Sequence, residues 1–286
     1  MDIILNKYFQ SLGLAAGQHV IVHSSFGEIK KAFTEVTIEN LVRNLQQLIT
    51  PNGSLVMPAF TYCYKRSDGT HEVFNYVQSQ SKVGAVSEVF RQQDKVLRTS
   101  SPTHSFSLWG KAAEIISQKN SPASPLGKGS VLDWMNSRKN AYVLLIGVDF
   151  NALSFGHYLE NMAPVPWTDI SPWDYLKVEK AGVSITGEQK LKELPGCSKP
   201  FKNFEKFLLE KKLIEYHSLN HLKSLLVSME LLYKEGLRYF HLYQDELLCP
   251  EGTCVPCDCR REKIRILHNT AGPKGSLLEK CSKKKV

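Results

Sequence analysis

Apolar residues in the first sixty positions follow two different spacings. Residues 19–25, HVIVHSS, form a continuous apolar run that ends in hydroxyl residues, which is typical of a buried strand. Residues 37–49 repeat apolar side chains every three or four positions, which predicts an amphipathic helix with Thr37 as its N-cap. A second strand-like run, residues 54–60, follows the turn sequence PNG. Strand, helix and strand at this spacing predict a βαβ unit with parallel strands.

This α/β pattern continues to about residue 162. Residues 141–150, AYVLLIGVDF, form the clearest buried strand in the chain. The helical spacing of apolar residues predicts further helices within residues 5–14, 83–93, 130–138 and 155–162. Gly13 is placed where it would end the first of these helices.

From about residue 163 the character of the chain changes, beginning with the proline- and tryptophan-rich sequence APVPWTDISPW. Residues 175–194 predict a β-hairpin, and we expect helices at 201–213 and 218–236. The sequence therefore predicts an α/β fold with a mostly parallel central sheet flanked by helices, followed by a mixed α+β region.

These patterns divide the chain into three expected parts. Residues 1–162 are expected to form the α/β core, and residues 163–250 an α+β region that packs on it. Residues 251–286 contain several cysteines and many basic residues. We expect them to be a C-terminal tail, because a basic chain end of this kind is often partly disordered.

The composition is that of an ordinary soluble globular protein, with 42% hydrophobic and 22% charged residues among 286. The formal net charge of +8 is concentrated in the last third, and because no nucleic-acid-binding motif accompanies it we expect no nucleic-acid partner. No apolar run approaches the ~20 residues that cross a bilayer, and the N-terminus lacks signal-peptide features. We expect a cytoplasmic protein without a membrane partner, present as a monomer or homodimer.

Four of the seven cysteines lie in the segment CPEGTCVPCDCR, and they are Cys249, Cys254, Cys257 and Cys259. Without a secretory signal, a disulfide framework is not expected. The four thiolates would suffice for a tetrahedral zinc site, but strong zinc motifs pair two separated Cys-x-x-Cys units and this segment has one. Reduced surface thiols are the expectation, zinc is the alternative, and no catalytic metal is expected.

Candidate chemistry is concentrated in three segments, of which the first is residues 22–33. This segment lies at the carboxyl end of a predicted strand that feeds a helix, where ligands bind in open α/β sheets. Backbone N–H groups there can hold a phosphate, and Lys31 can add positive charge. The alternative is a plain strand end with solvated lysines, because no glycine-rich phosphate-binding sequence is present.

The second segment, RTSSPTHSFSLWG at residues 98–110, combines hydroxyl side chains with an imidazole and one proline. Small donors and acceptors on a rigid backbone suit an extended ligand that is rich in amide groups. The alternative is a capped turn in which His104 is a satisfied core residue.

The third segment, SFGHYLENM, has His157 and Glu160 three residues apart, so both side chains share one face of a helix. A carboxylate beside an imidazole stabilises its charged form and can set its tautomer, which is what a general base requires. The same pairing is common by chance, so this segment alone leaves both interpretations open.

Together these segments resemble the aminoglycoside 3-N-acetyltransferase family, which is unrelated in fold to the GNAT superfamily. The resemblance is carried by HSSFGEI, GSLVMPAFT, VGAVSEVFR, RTSSPTHSFSLWG, SPLGKGSVL, LLIGVDFNALSFGHYLE and PGCSKPFKNFEKFL, in this order, between about residues 11 and 249. Family members transfer an acetyl group from acetyl-CoA to an amine of a deoxystreptamine-type antibiotic. The resemblance therefore implies an acetyltransferase that uses acetyl-CoA and a small-molecule amine acceptor.

The resemblance also implies roles for particular residues. His157 is implied as the general base, Glu160 as a group that orients it or attracts the ammonium, and Thr61 as a hydroxyl near the thioester. Implied cofactor contacts are His23, Ser24, Ser25, Phe26 and Lys31 at the nucleotide end, and Ser101, Thr103, His104, Ser105 and Phe106 around the pantetheine arm. The carboxylates expected to receive a polycationic acceptor are Glu72, Asp149 and Asp169.

The chemistry of amine acylation is consistent with a base at position 157. An aliphatic ammonium, with a pKa of about 10, must lose a proton before it attacks, and an imidazole with a pKa of about 6.5 is suited to accept it. We expect direct transfer in a ternary complex, without a covalent acyl-enzyme. Cys63, two residues after Thr61, is the competing nucleophile, although the family assigns it no role.

Two features depart from what the family leads us to expect. Members carry a Thr–Ser pair just before the histidine, whereas this chain has Ala152, Leu153 and Ser154 there. The basic composition is also unfavourable for binding a polycationic acceptor. The alternatives are an acyltransferase for a non-antibiotic amine in a biosynthetic pathway, and a non-catalytic module that binds zinc or a partner.

Overall fold

The computed structural model describes residues 3–50, 52–167, 177–192 and 195–268. The strands are β1 (His19–Ser24), β2 (Ser54–Pro58), β3 (Tyr64–Arg66), β4 (Leu97–Arg98), β5 (Phe106–Gly110), β6 (Ala141–Ile146), β7 (Val178–Ser184), β8 (Gly187–Lys190), β9 (His217–Leu219) and β10 (Leu222–Ser228). The α-helices are α1 (Ile3–Ser11), α2 (Phe26–Ala32), α3 (Ile38–Ile49), α4 (Ala85–Arg91), α5 (Lys111–Ile115), α6 (Val131–Asn136), α7 (Ser154–Met162), α8 (Phe201–Glu210), α9 (Met229–Leu242) and α10 (Val255–His268). Short 3-10 helices cover Phe150–Ala152 and Gln244–Leu247. None of the helices in these ranges is long and apolar enough to cross a membrane.

The central sheet has the strand order β4-β5-β2-β1-β6-β10-β9. At its centre β1 pairs in parallel with β2, as the βαβ pattern predicts, and β1 also pairs in parallel with β6. The outer strands β5, β4, β10 and β9 are added in antiparallel orientation. The predicted α/β class is confirmed, and the parallel centre brings the carboxyl ends of β1, β2 and β6 to the same edge of the sheet.

Side chains of the central strands point alternately into two hydrophobic cores. Ile21 of β1 packs in the core formed with α6, α7, α8 and α9, whereas Val20 and Val22 pack in the core formed with α1, α3 and α4. In β6, Val143 and Leu144 divide in the same way between the two cores. Helices thus cover both faces, which explains why these strands are continuously apolar in sequence.

A smaller sheet, in the order β3-β7-β8, contains a hairpin formed by β7 and β8, which lies within the residues where the sequence predicts one. Its strand β7 lies against the hydroxyl-rich stretch at residues 98–110. Gly182 is needed at this contact, because a Cβ atom there would overlap the ring of Pro102. The small sheet therefore covers this stretch from outside.

The prediction of one helix over residues 218–236 is wrong in its first half. That part forms β9 and β10, which are joined by Asn220 and His221 with φ angles of 47° and 70°. β10 pairs along its length with the free edge of β6, and α9 begins only after Ser228, whose Oγ accepts the N–H of Leu231. Leucine spacing fits a helix here, but the positive-φ turn and the open strand edge favour a hairpin.

The expected C-terminal tail contains a packed helix, α10. Within it Cys257 is fully buried and Arg260 is only 4% exposed. The guanidinium of Arg260 lies so close to Gly196 that a Cβ atom at that position would overlap it. The chain therefore contributes to the core up to this helix.

The contact between α7 and α8 leads to a prediction about stability. A Cβ atom on Gly156 would overlap the ring of Phe201, which is fully buried. We expect Gly156→Ala to lower the free energy of unfolding by about 1–3 kcal/mol, because the ring has no space to move into.

Gly27→Ala in α2 is the matched control, since a Cβ atom there would meet only Ser25 Oγ at 3.9 Å. Its stability should be unchanged or slightly higher, because alanine favours a helix over glycine. Chemical denaturation measures both variants, and equal unfolding midpoints would contradict the packing argument.

Candidate active site

A cleft of about 220 Å³ lies at the carboxyl ends of β1 and β2. Residues from several distant parts of the chain line it: Val22, His23, Ser24, Pro58, Phe60, Tyr62, Val83, Ser87, Asn151, Ala152, Leu153, Ser154, His157 and Ser198. Ligands bind at this edge of open α/β sheets, because the loops that leave the parallel strands converge there. The cleft is therefore the candidate active site.

His157 of α7 lines the cleft and is held by two buried charged groups. Its Nδ1–H donates to Glu160 Oε2 at 2.7 Å, and Arg260 Nη1 donates to Glu160 Oε1 at 3.0 Å. The three side chains are 11%, 8% and 5% exposed, in the order His157, Glu160 and Arg260. They form a continuous chain of hydrogen bonds from α10 to the cleft.

The charge state of Glu160 determines which nitrogen of His157 carries the proton. Burial raises the pKa of Glu160, but the charge of Arg260 and the hydrogen bond from His157 lower it by more, so the pKa lies below its ordinary value. An ionised carboxylate only accepts, so the neutral imidazole keeps its proton on Nδ1 and its lone pair on Nε2. The arrangement leaves on Nε2 a lone pair that can accept a proton.

Packing fixes the plane of the same imidazole ring. The ring centroids of His157 and Phe201 are 5.0 Å apart and meet edge to face. Phe201 is fully buried at the start of α8, against Gly156 of the histidine's own helix. The direction of the Nε2 lone pair is therefore set by the contact between α7 and α8.

Arg98 anchors the wall of the cleft from behind. Its side chain is buried and donates to the carbonyl oxygens of Ala59 at 2.7 Å and Ser79 at 2.5 Å, and to Ser105 Oγ at 3.1 Å. Ser105 Oγ in turn donates to the Ala59 carbonyl at 2.7 Å. These bonds hold the segment after β2, which supplies Phe60 to the cleft.

Thr61 and Thr103 are also engaged within the protein. Thr61 is 1% exposed, and its Oγ1 donates to the carbonyl of Pro102 at 2.7 Å. The Thr103 carbonyl accepts the backbone N–H groups of Thr61 and Tyr62, both at 3.1 Å. These contacts fix the backbone beside the cleft, and a role for Thr61 near a thioester stays a prediction.

Ser101, His104 and Phe106 are buried in the same stretch. Ser101 Oγ accepts the backbone N–H of His104 at 3.2 Å, and His104 Nδ1 lies 3.1 Å from Thr103 Oγ1. Burial, and then the nearby charge of His157, lower the pKa of His104 to about 3. His104 is thus neutral and buried, with its Nδ1 paired to Thr103. None of the side chains at 101–106 lines the cleft, so their contact with a cofactor stays a prediction.

The end of β1 contributes His23 and Ser24 to the cleft. Burial lowers the pKa of His23 to about 4, and its buried Nε2 has no hydrogen-bond partner. Across the cleft lining, Asn151 Oδ1 is also buried without a partner. Most buried polar atoms in folded proteins are paired, so these two point to a ligand that supplies complementary donors and acceptors.

Ser25, Phe26 and Lys31 follow the cleft along the chain but do not line it. Ser25 caps α2, its Oγ accepting the N–H of Glu28 at 3.4 Å. Phe26 packs at the edge of the second core, and the exposed Lys31 pairs with Glu28 at 2.6 Å. Their contact with the nucleotide end of a cofactor stays a prediction.

The carboxylates expected to bind an acceptor are not gathered at the cleft. Glu72 pairs with Lys82 at 2.6 Å on the surface, and Asp149 pairs with Lys202 at 2.9 Å beside a separate pocket of about 580 Å³. Asp169 lies outside the described residues. The cleft lining named above contains no carboxylate.

Several site residues were not identified from the sequence. Arg260 carried no sequence signal, because its partner Glu160 is 100 residues away. Tyr62 lies in an aromatic-rich segment that gave no sequence signal for a site residue. In the structure its φ is 54°, a conformation that non-glycine residues seldom adopt. Strained backbone of this kind tends to occur at functional sites. Ser198 enters the cleft from a loop just before α8.

This protein is similar in sequence and in fold to several known proteins. A profile of the aminoglycoside 3-N-acetyltransferase family matches residues 21–241. The SPbeta prophage-derived aminoglycoside N(3')-acetyltransferase-like protein YokD of Bacillus subtilis (strain 168) is 28% identical over 206 residues, 65% of this chain and 70% of YokD. The aminoglycoside acetyltransferase AAC(3)-IVa, solved as the apoenzyme, has a TM-score of 0.76 at 24% identity, covering 91% of this chain and 96% of its own. AAC-IIIb, solved with CoASH, has a TM-score of 0.67 at 18% identity, covering 82% and 94%.

Fold and comparisons define the class of protein as an acetyltransferase with an α/β fold. Because the family profile covers most of the chain, the protein belongs to the aminoglycoside 3-N-acetyltransferase family. The resemblance inferred from the sequence motifs is thereby confirmed, and so is the assignment as an enzyme.

The buried Glu160 predicts a pH-dependent contribution to stability. The pKa of Glu160 in the folded protein is below its ordinary value, so the ionised carboxylate contributes to the free energy of unfolding. This contribution is fully present above the unfolded carboxyl pKa of about 4.3 and is lost as pH falls through the folded pKa. We expect Glu160→Gln to cost about 3 kcal/mol at pH 7, since Arg260 is left as an unpaired buried charge. The cost relative to wild type should shrink in acid.

Glu28→Gln is the control for this prediction, because Glu28 forms an exposed ion pair with Lys31. Such pairs contribute about 0–1 kcal/mol, so little change is expected at any pH. Urea denaturation from neutral to acidic pH measures the three proteins. If the loss of unfolding free energy in Glu160→Gln stayed constant with pH, that result would argue against an ionised carboxylate at position 160.

Proposed function

We propose that this protein transfers an acetyl group from acetyl-CoA to an amine of an aminoglycoside or amino-sugar-like acceptor, with His157 as general base. The main support for this proposal is the pair of hydrogen bonds that links His157, Glu160 and Arg260. This arrangement leaves Nε2 of His157 able to accept a proton at a cleft on the sheet edge. Two relatives support the substrate classes: AAC-IIIb has been solved with CoASH, and a mutant of AAC(3)-IVa, 26% identical to this chain, with apramycin.

His157 has the task of preparing the acceptor nitrogen. An amine arrives mostly as ammonium and has no lone pair for attack until a proton is removed. Nε2 accepts that proton, and the charge that develops on the ring is stabilised by the ionised Glu160 at 2.7 Å. The restored lone pair then forms the new N–C bond, and the C–S bond breaks. The second proton of the nitrogen goes to the departing CoA sulfur, which leaves as the thiol, and the proton held on Nε2 is released to solvent.

Glu160 orients the base rather than attracting the ammonium. Both of its carboxylate oxygens are occupied, Oε2 by His157 and Oε1 by Arg260, and the side chain is 8% exposed. A carboxylate in this position has no free oxygen at the cleft for a substrate cation. Arg260 is accordingly a positioning residue that acts through Glu160.

The cleft offers groups that fit the reactive end of acetyl-CoA. Acetyl-CoA supplies the acetyl group as a thioester when it is bound. His23 Nε2, a buried polar atom without a partner, and Ser24 can hydrogen-bond a polar ligand there, while Phe60 and Tyr62 offer apolar surface. Ser25, Phe26 and Lys31 follow directly in the chain and remain the proposed contacts for the nucleotide end.

Direct transfer is favoured over a covalent acyl-enzyme. The competing nucleophile Cys63 is 2% exposed, and burial raises the pKa of its thiol, which keeps it protonated and unreactive. The cleft lining does not include Cys63.

A second class of acceptor is favoured by the electrostatics of the cleft. Glu72 and Asp149 are paired with lysines, and no carboxylate occurs among the described residues that line the cleft. A polycationic antibiotic gains most from several carboxylates, whereas a singly charged amine in a biosynthetic pathway does not need them. The acceptor is therefore to be identified by comparing aminoglycosides with simple amino sugars.

Release of the CoA thiol in the presence of acetyl-CoA and an amine panel tests the proposed function. We expect turnover with at least one deoxystreptamine aminoglycoside or amino sugar, and a loss of about 100- to 10,000-fold in kcat for His157→Gln, because the general base is gone. The affinity of that variant for CoA, measured by calorimetry, should be nearly unchanged. Full activity in His157→Gln would remove the residue from the base role.

Substitution of Cys63 separates direct transfer from a covalent mechanism. Cys63→Ser should keep kcat within a few-fold of wild type, since a buried protonated thiol forms no acetyl-enzyme. Mass spectrometry of wild-type protein mixed with acetyl-CoA alone should show no acetylated cysteine. A stable mass gain of one acetyl group at Cys63, with inactive Cys63→Ser, would instead support an acyl-enzyme.

A further inference from the structure

Four cysteines meet beside the active site, and one of them is distant in sequence from the other three. Cys197 lies in the loop before α8, Cys249 follows the 3-10 helix Gln244–Leu247, and Cys254 and Cys257 lie at the start of α10. Their Sγ atoms all lie within 4.8 Å of one another, and those of Cys197 and Cys249 are 3.7 Å apart. The zinc alternative raised by the sequence included three members of this group, and Cys197 takes the place that this alternative gave to Cys259.

The spacing of the sulfur atoms matches a tetrahedral metal site. Zinc–sulfur bonds of about 2.3 Å in a tetrahedron give sulfur–sulfur distances of about 3.8 Å. All four thiols are free, so none of them is used in a disulfide. Cys249 and Cys257 are buried and the other two are half-buried, which suits a closed structural site shielded from solvent.

The backbone around the cysteines is held in place independently. Arg261 Nη2 donates to the carbonyl of Cys249 at 2.9 Å, and the backbone N–H of Asp258 donates to the carbonyl of Cys254 at 2.9 Å. The Asp258 carboxylate accepts the N–H of Gly252 at 3.0 Å, which closes the loop that joins Cys249 to α10. Such second contacts orient the ligands of metal sites.

We propose that Cys197, Cys249, Cys254 and Cys257 bind one zinc ion in a tetrahedral structural site. Four thiolates with no open coordination position are typical of zinc sites that stabilise a fold. The ion takes no part in amine acylation. It joins the loop before α8, the chain after α9 and the start of α10.

The proposed zinc site is linked to His157 through Arg260. Arg260 lies one turn after Cys257 on α10 and pairs with Glu160, while Gly196, next to Cys197, packs against its guanidinium. On the other side of Cys197, Ser198 lines the cleft. The ion thus holds α10 where Arg260 can position Glu160 and His157, a consequence that rests on the proposed function.

Metal analysis of full-length protein, purified under reducing conditions without chelator, tests the site directly. We expect about one zinc per chain in wild type and a drop of about tenfold or more in Cys254→Ser, because a tetrahedral site loses one of its four ligands. Cys63→Ser is the matched control and should keep its zinc, since Cys63 lies outside the cluster. Unchanged zinc in Cys254→Ser would overturn the proposal.

Cobalt titration keeps the test valid if Cys254→Ser does not fold. Wild-type protein treated with a chelator and titrated with Co²⁺ should develop thiolate-to-cobalt charge-transfer absorption and the d–d bands of tetrahedral cobalt. Chelation should also lower the Tm, and added zinc should restore it. Absence of both spectral features, or of any bound zinc after incubation with a zinc salt and reductant, would refute the site.

Activity measurements separate this proposal from the proposed function. If the ion positions Arg260, zinc removal should lower kcat while the KM for acetyl-CoA stays the same. A zinc-loaded protein that acetylates no amine would support the metal site and contradict the function. An active protein without zinc would contradict the metal site alone.

Discussion

Glu160 is the residue on which the arrangement of the active site depends. A buried carboxylate is tolerated only when its charge is compensated, and here Arg260 and His157 provide that compensation. Moving α10 away would leave the buried Glu160 carboxylate without its cationic partner Arg260. The tautomer of His157 thus depends on α10, because Arg260 of that helix pairs with Glu160, 100 positions earlier in the chain.

The hydroxyl-rich stretch at residues 98–110 has a different part in the same architecture. Most of its hydroxyl side chains, though not Ser107, form internal hydrogen bonds, above all those among Arg98, Ser105 and the Ala59 carbonyl. A loop that carries an arginine into the interior must supply it with acceptors, and backbone carbonyls after β2 do so. Because these hydrogen bonds hold the backbone after β2, Phe60 and Tyr62 line the cleft from a rigid wall.

Much of this molecule was predictable because the relevant signals are local. The apolar runs of β1 and β6, the capped helix after Thr37 and the i, i+3 pair of His157 and Glu160 depend on residues close together in sequence. The hairpin β9–β10 was mistaken for a helix because leucine spacing is ambiguous over short segments. The edge of β6 that it pairs with is about 80 residues away in the chain, so periodicity alone could not favour the strand.

By itself, the sequence determined the α/β class, the family and the identity of the histidine at the site, since each follows from residue types in a fixed order. Only the tertiary structure decided which groups face the cleft: His23 and Asn151 with unpaired polar atoms, but not the hydroxyls at 101–105. It also brought Arg260 to Glu160 and Cys197 to the late cysteines. The physical reason is that burial and charge pairing depend on distances in space, which chain folding sets and sequence separation does not reveal.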